Sequence, residues 1–343
     1  MTGAAQGPAR FVYSEIHLGV EVRVTGYAPD DSTARSAARA AFAEIARLDS
    51  MMSDYRRSSD VAAIARAAPG WVVVGPETMA VVMVALRVAA RSRGAFDPTI
   101  GPLVALWRES RTTGRLPSSD AIRFAKALTG WRAVEVDEER RAIRLRHPGM
   151  RLDLGGVAKG YIIQSALRVL ARCGVPSAMI EAGGDLAVSA EPPGTTGWRI
   201  DLATDDESLR RQAGALTNAA IATSGTGEQF VEIDGRRYAH LINPRTGLGL
   251  TDRVTTTVIG PDAALADAVA TAASVLGRER GRDFMRRLPS VAGSVDSSPA
   301  SRGAGERSPA EDGTAGVWRL RRRQPILSVE ARLDRPAIPK STR

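Results

Sequence analysis

Apolar positions along the chain switch between a period of two and a period near 3.6, and these switches outline the elements. Residues 11–27 alternate, with Val20, Val22 and Val24 on one side, and read as strand. From Asp31 to Met52 the residues Ala37, Ala41, Ile45 and Leu48 recur at helical spacing, with Ser32 or Thr33 as the expected cap. Residues 71–74 form a short strand, and 77–91 an apolar helix ending at Gly94. A hairpin is predicted over 133–146, Val134-Glu135-Val136 against Ile143-Arg144-Leu145. A strand then ends at Asp153, and 157–173 is helical with Ile162, Ala166 and Val169 on one side. A second hairpin over 229–242 turns at Asp234-Gly235. Residues 254–259 are strand, and 261–276 a helix stopped at Gly277. Strands and helices do not alternate strictly, so the pattern predicts an α+β fold, mixed helices with antiparallel sheet, rather than a doubly wound sheet.

Composition sets the boundaries. At 343 residues and 43% hydrophobic content the chain can bury a large core. Residues 290–316 shift to Ser, Gly, Ala and Pro, which reads as linker, and 317–323 and 326–333 read as weak strands. The expected division is a disordered start over 1–10, one large two-lobed domain over 11–289, and a linker with basic tail over 290–343. Net charge is +9, and residues 290–343 hold ten basic against six acidic residues, so almost half the excess lies in that tail. No helix-turn-helix, zinc-finger spacing or RNA-binding aromatic motif accompanies the charge, which argues against specific nucleic-acid binding. Cys173 is the only cysteine, which excludes an intrachain disulfide and a cysteine-based zinc site. Residues 1–10 lack the apolar core of an export signal, so the sequence as written predicts a cytoplasmic protein, or a periplasmic or membrane-anchored one if the true start lies upstream.

Chemistry concentrates in four segments. Gly94-Ala95-Phe96-Asp97-Pro98-Thr99-Ile100-Gly101-Pro102 is a rigid loop, able to grip a flat ring and equally able to be a plain turn. Asp153-Leu154-Gly155-Gly156-Val157-Ala158-Lys159-Gly160 is a glycine turn opening a helix, where free N–H groups and an ammonium can bind an anion. It matches neither the Walker pattern nor G-x-G-x-x-G. His240, one of three histidines, ends a hairpin beside Asn243-Pro244-Arg245-Thr246-Gly247, where it can move a proton or donate to a phosphate; His17 and His147 have no such setting. On the last helix Asp267 and Thr271 share the face opposite Leu265, Val269, Ala272 and Leu276. Their hard oxygens suit Mg²⁺, and the face lacks the Arg and Glu of solvated faces elsewhere. Together these are parts for phosphoryl chemistry, with no substrate named.

In this order the segments resemble the ApbE family of flavin transferases over roughly residues 11–288. The matching stretches are Leu48-Asp49-x-x-Met52-Ser53-x-Tyr55, Gly94 to Thr99 with Gly101-Pro102-Leu103, Asp153-Leu154-Gly155-Gly156-x-Ala158-Lys159-Gly160 and Gly183-Gly184-Asp185. They continue with Ala222-Thr223-Ser224-Gly225, His240-Leu241-Ile242-x-Pro244-Arg245-Thr246-Gly247 and Ala266-Asp267-Ala268-x-Ala270-Thr271. The resemblance implies FAD as substrate, bound through Met52, Ala95, Phe96, Asp97, Asp153, Lys159 and Leu241. It implies Mg²⁺ held by Asp267, Thr271 and the Gly156 carbonyl, with His240 near the pyrophosphate. The implied reaction moves FMN from FAD to a Thr or Ser hydroxyl of an acceptor protein, such as a subunit of a membrane redox complex, and releases AMP. An FAD pyrophosphatase using water and a non-catalytic flavin binder are the rival expectations. The family's Asp-Pro-Arg-Thr-Gly begins here with Asn243, its early Met-Gly-Thr reads Leu18-Gly19-Val20, and its frequent lipoprotein start is missing.

Overall fold

The computed structural model describes residues 7–202, 206–227, 229–298 and 327–328. The alternating stretch at the start is two strands, not one. β1 (Ala9–His17) and β2 (Val20–Ala28) pair antiparallel about Leu18-Gly19, where φ of 55° and 73° give a turn whose twist matches the strands. Ala9 and Arg10, expected to be disordered, open β1. α1 (Asp31–Met52) buries the predicted stripe, but its cap is Asp30, whose carboxylate accepts the Thr33 N–H at 2.8 Å.

Next come α2 (Asp60–Ala67), β3 (Val72–Val73) and α3 (Pro76–Arg91). α4 (Gly101–Thr113) and α5 (Ser119–Ala127) follow, neither foreseen from periodicity. The Gly101-Pro102 pair that reads as loop lies inside α4, because proline fits a first helical turn. β4 (Val134–Asp137) and β5 (Ala142–Leu145) form the predicted hairpin, Val134 opposite Leu145, with β3 on the other side of β5. No strand ends at Asp153. Arg151 makes one isolated bridge to Ile100, and the Asp153 N–H donates to the Pro98 carbonyl at 2.8 Å.

α6 (Ala158–Arg172) leads to β6 (Ala178–Ala182), β7 (Asp185–Val188), β8 (Asp201–Leu202), α7 (Glu207–Gln212) and β9 (Ala219–Gly225). The second hairpin, β10 (Phe230–Ile233) with β11 (Arg236–Ala239), turns at Asp234-Gly235 as predicted. β12 (Ile242–Asn243), β13 (Leu248–Gly249), β14 (Arg253–Gly260), α8 (Ala263–Leu276), α9 (Arg278–Arg286) and β15 (Ala292–Ser298) complete the domain. β15 lies in the stretch whose composition reads as linker, so the sheet continues beyond residue 289. Of the two weak strands expected in the tail, 317–323 lies outside the described residues, while Leu327–Ser328 pairs with β8.

Seven strands form one sheet in the order β1-β2-β6-β7-β9-β14-β15, every neighbouring pair antiparallel. Because strand side chains alternate faces, Ile180, Ala182, Ala187, Ala222 and Val258 meet α1, α3, α6 and α8 in the main core. Met179, Leu186, Ile221 and Ile259 meet Trp198, Ile200 and Leu209 on the reverse face. A separate cluster of Leu103, Trp107, Ala125, Ile233, Tyr238 and Ile242 binds α4 and α5 to the β10–β11 hairpin as the second lobe. α8 is buried on almost every side, Asp267 included, with Leu265 and Leu276 only half-buried. The core stripe expected on one face of that helix is therefore too narrow. Alanines and Ser274 let neighbours close on it all round.

Candidate functional site

The site forms where α6 and α8 touch. Gly160, in the first turn of α6, faces the backbone of Ala263, and a Cβ there would be driven into the Ala263 carbonyl. α6 has no side-chain cap of its own. Asp267 of α8 supplies one, its Oδ2 accepting the Gly160 N–H at 3.2 Å. One turn along α8, the Thr271 hydroxyl oxygen stands 3.0 Å from where a Cβ on Gly156 would lie, and the Phe96 ring edge 3.3 Å from it. The bare glycine thus brings its backbone beside Thr271 and, one turn away, Asp267. Burial first, and then the neighbouring Asp185 charge, push the Asp267 carboxyl up to about 7. A half-used carboxylate, a hydroxyl and a glycine carbonyl are hard oxygen donors, and they fit a magnesium ion that keeps waters or phosphate oxygens in its other positions. Among the described residues no cluster of three or more His, Cys, Asp or Glu gathers, so a cation here would rest on this mixed set.

Lys159 is paired. Its ammonium contacts Asp185, a carboxylate 2% exposed at the start of β7 whose Oδ1 accepts the Thr223 N–H at 3.0 Å. Burial works to lower the Lys159 pKa, but the Asp185 and Asp267 carboxylates outweigh it and hold it above its ordinary value. The lysine expected to serve as an open phosphate ligand therefore already has its counter-ion.

His240 follows β11 directly. Its backbone N–H donates to the Gln229 carbonyl at 2.9 Å, and its ring Nδ1 lies 3.2 Å from the same oxygen. A carbonyl only accepts, so Nδ1 carries the hydrogen and Nε2 keeps its lone pair. Burial, and then the charges of Arg111 and Lys159, push the ring below its usual pKa, against the Gln229 contact. Leu241 is pinned by its carbonyl, which accepts the Leu250 N–H at 2.8 Å. Asn243 shapes the following turn, its Oδ1 accepting the Arg245 N–H at 3.0 Å, and the Trp107 indole clamps that turn through the Gly247 carbonyl at 2.9 Å. An aspartate would make the same Asn243 turn contact, so the missing charge leaves the loop geometry unchanged.

The Gly94–Pro102 loop is held from within. Asp97 accepts the Thr99 N–H at 2.9 Å, the Thr99 hydroxyl at 2.6 Å and the Trp131 N–H at 3.1 Å, while Thr99 Oγ1 accepts the Gly130 N–H at 2.7 Å. Its carboxylate is spent on architecture. Between this loop and the Pro244-Arg245 turn lies an open cleft of about 210 Å³, also lined by Arg93, Trp131 and Arg132. Ala95 and Phe96 are buried, and Met52, 5% exposed, packs in the main core. Met52 presents little surface to a ligand. Asp153 accepts the Gly155 N–H at 2.9 Å and faces Arg108 Nη2 at 3.8 Å. Burial first, then Asp54, raise its pKa.

Three residues of this neighbourhood are not among those expected: Asp185, Arg108 and Arg111. Arg108 joins Asp54 at 2.5 Å and lies 4.0 Å over the ring of Tyr55, which is 75% exposed. Asp185 had a signal, the Gly183-Gly184 pair before it at φ of 52° and 89°. The arginines had none in a chain so rich in them.

The fold is that of solved flavinyl transferases. The apo form of the flavinyl transferase ApbE from Pseudomonas stutzeri superposes with a TM-score of 0.72 at 26% identity, over 87% of this chain and 97% of that one. The ApbE protein of Thermotoga maritima gives 0.73 at 27% identity, over 85% and 97%. The chain belongs to the ApbE family, whose family model matches residues 18–294. It is 31% identical over 285 residues to an FAD:protein FMN transferase of Klebsiella pneumoniae, 82% of this chain and 87% of that protein. An FAD:protein FMN transferase of Treponema pallidum matches at 29% over 310 residues, 84% and 86%.

Proposed function

We infer that this protein transfers the FMN half of FAD to a threonine or serine hydroxyl of an acceptor protein and releases AMP. The observation that carries the reading is the contact of Gly156 with Thr271 one turn from Asp267; His240, whose Nε2 is unprotonated, is the candidate base. In the step, the acceptor oxygen attacks the flavin-side phosphorus, the bond from that phosphorus to the bridging oxygen breaks, and AMP leaves with that oxygen. His240 Nε2 takes the hydroxyl proton. The Ala95–Asp97 loop, Asp153 and Leu241 border the dinucleotide, and Lys159, tied to Asp185, fixes the charge beneath it. Magnesium bound by Asp267, Thr271 and the Gly156 carbonyl supplies neutralisation of the phosphate charge.

Incubation with FAD, Mg²⁺ and a threonine-bearing acceptor domain tests this by mass spectrometry. A gain of one FMN on the acceptor supports transfer. Free FMN and AMP with an unmodified acceptor point to a pyrophosphatase, and the absence of AMP to a flavin binder. Asp267→Ala should abolish AMP release while weakening FAD binding less; full Mg²⁺-dependent turnover in that variant would remove the metal assignment.

A further inference from the structure

Burying a guanidinium without a counter-ion is costly, because its hydration is lost and nothing replaces it. α4 carries two arginines one turn apart, Arg108 and Arg111, and they are treated differently. Arg108 is spent on Asp54 at 2.5 Å, Asp153 at 3.8 Å and the face of Tyr55 at 4.0 Å. Arg111 is half-buried, and its guanidinium makes no ion pair or hydrogen bond among the described residues. Helical spacing puts it on the same side of α4 as Arg108, hence on the side of the Asp153 turn.

We propose that Arg111 is a substrate-binding residue, its guanidinium fork taking the diphosphate of the dinucleotide opposite the Gly155–Gly156 turn. The proposal rests on the reading of the site as an FAD site. The division of charge supports it. Lys159 is matched by Asp185, whereas Arg111 adds positive charge near His240 with no protein carboxylate to answer it. Burial first, and then the neighbouring Arg108 charge, lower its own pKa, with Tyr55 opposing. A planar fork suits phosphate oxygens in pairs, so lysine is an incomplete substitute.

The test is calorimetric titration of inorganic pyrophosphate, in magnesium buffer, into the full chain and into its Arg111→Ala and Arg111→Lys variants, with circular dichroism confirming the fold. Arg111→Ala should weaken pyrophosphate binding by at least about tenfold, and Arg111→Lys should recover part of that loss. In FAD turnover, Arg111→Ala should raise KM more than it lowers kcat. Equal pyrophosphate affinity in all three proteins, or none in the parent chain, overturns the proposal. An Arg111-dependent pyrophosphate site in a protein that does not turn over FAD would keep this assignment and remove the transferase reading instead.

Discussion

His240 is the residue whose environment makes the sharpest claim about pH. Burial and the nearby charges of Arg111 and Lys159 hold its ring below the ordinary 6.5, so the fold prefers the neutral form. The sign follows: stability tied to this ring is complete above 6.5 and is lost as pH falls below 6.5 through the ring's lower folded value. For catalysis, the acid limb of kcat/KM should lie below pH 6.5, and Arg111→Ala should move it upward toward 6.5. An unmoved limb in that variant would mean that another group titrates. The Lys159–Asp185 pair makes a claim about stability. Lys159→Ala strands a carboxylate that is 2% exposed and should cost about 3–5 kcal/mol in urea unfolding at pH 7. The double variant Lys159→Met/Asp185→Leu should recover most of that, because the uncompensated charge goes with its partner. The single residues were legible to different degrees. Lys159, Asp267 and Thr271 could be placed from helical spacing and a glycine turn. Asp185 could not be tied to Lys159, since the two meet only when β7 lies beside the start of α6.

At the scale of elements the site depends on one close contact between α6 and α8. Gly160→Ala would press a methyl into the Ala263 backbone, which cannot move aside as a side chain would. The expected cost is at least about 1–3 kcal/mol, with a larger proportional loss of AMP release, because the same displacement separates Gly156 from Thr271. Gly155→Ala is the control. Its added Cβ would meet only the Asp153 carboxylate, at 3.0 Å, and should change stability by less than about 1 kcal/mol. Thermal unfolding of both variants, with the AMP assay on Gly160→Ala, checks the pair, and equal stability would refute the contact as the site's anchor. The long helices α1, α6 and α8 were visible in the sequence because each repeats small or apolar residues over three turns or more. α4 was not, since Gly101-Pro102 carries the same letters as a loop while serving as a first helical turn. Nor was the β1–β2 hairpin, whose turn uses Leu18 at positive φ where asparagine or aspartate is the usual signal.

Over the whole molecule, the question is where the folded unit ends. Composition turns to Ser, Gly and Ala near residue 290, and a boundary at 289 follows from letters alone. The structure runs on through β15, which pairs with β14 from Arg253 opposite Ser298 to Ile259 opposite Ala292. Small residues hid the strand because its burial is borne by so few side chains: Val295 is fully buried, and Gly293 lies against the Thr257 carbonyl. β14 also pairs with β9, whose Thr223 N–H holds Asp185 in place, so the sheet edge and the site share one ladder. A chain ending at residue 289 would strip β14 of its outer partner and uncover Phe284 and Met285 of α9. Losing Val295 alone should cost about 1.5–3 kcal/mol, and the unpaired edge of β14 would add to it. A chain ending at Ser298 keeps those contacts. Urea unfolding of the two truncations should therefore separate them by at least the valine's share, with AMP release falling in the shorter chain. Equal midpoints would mean that β15 is dispensable and that the compositional boundary is also the structural one.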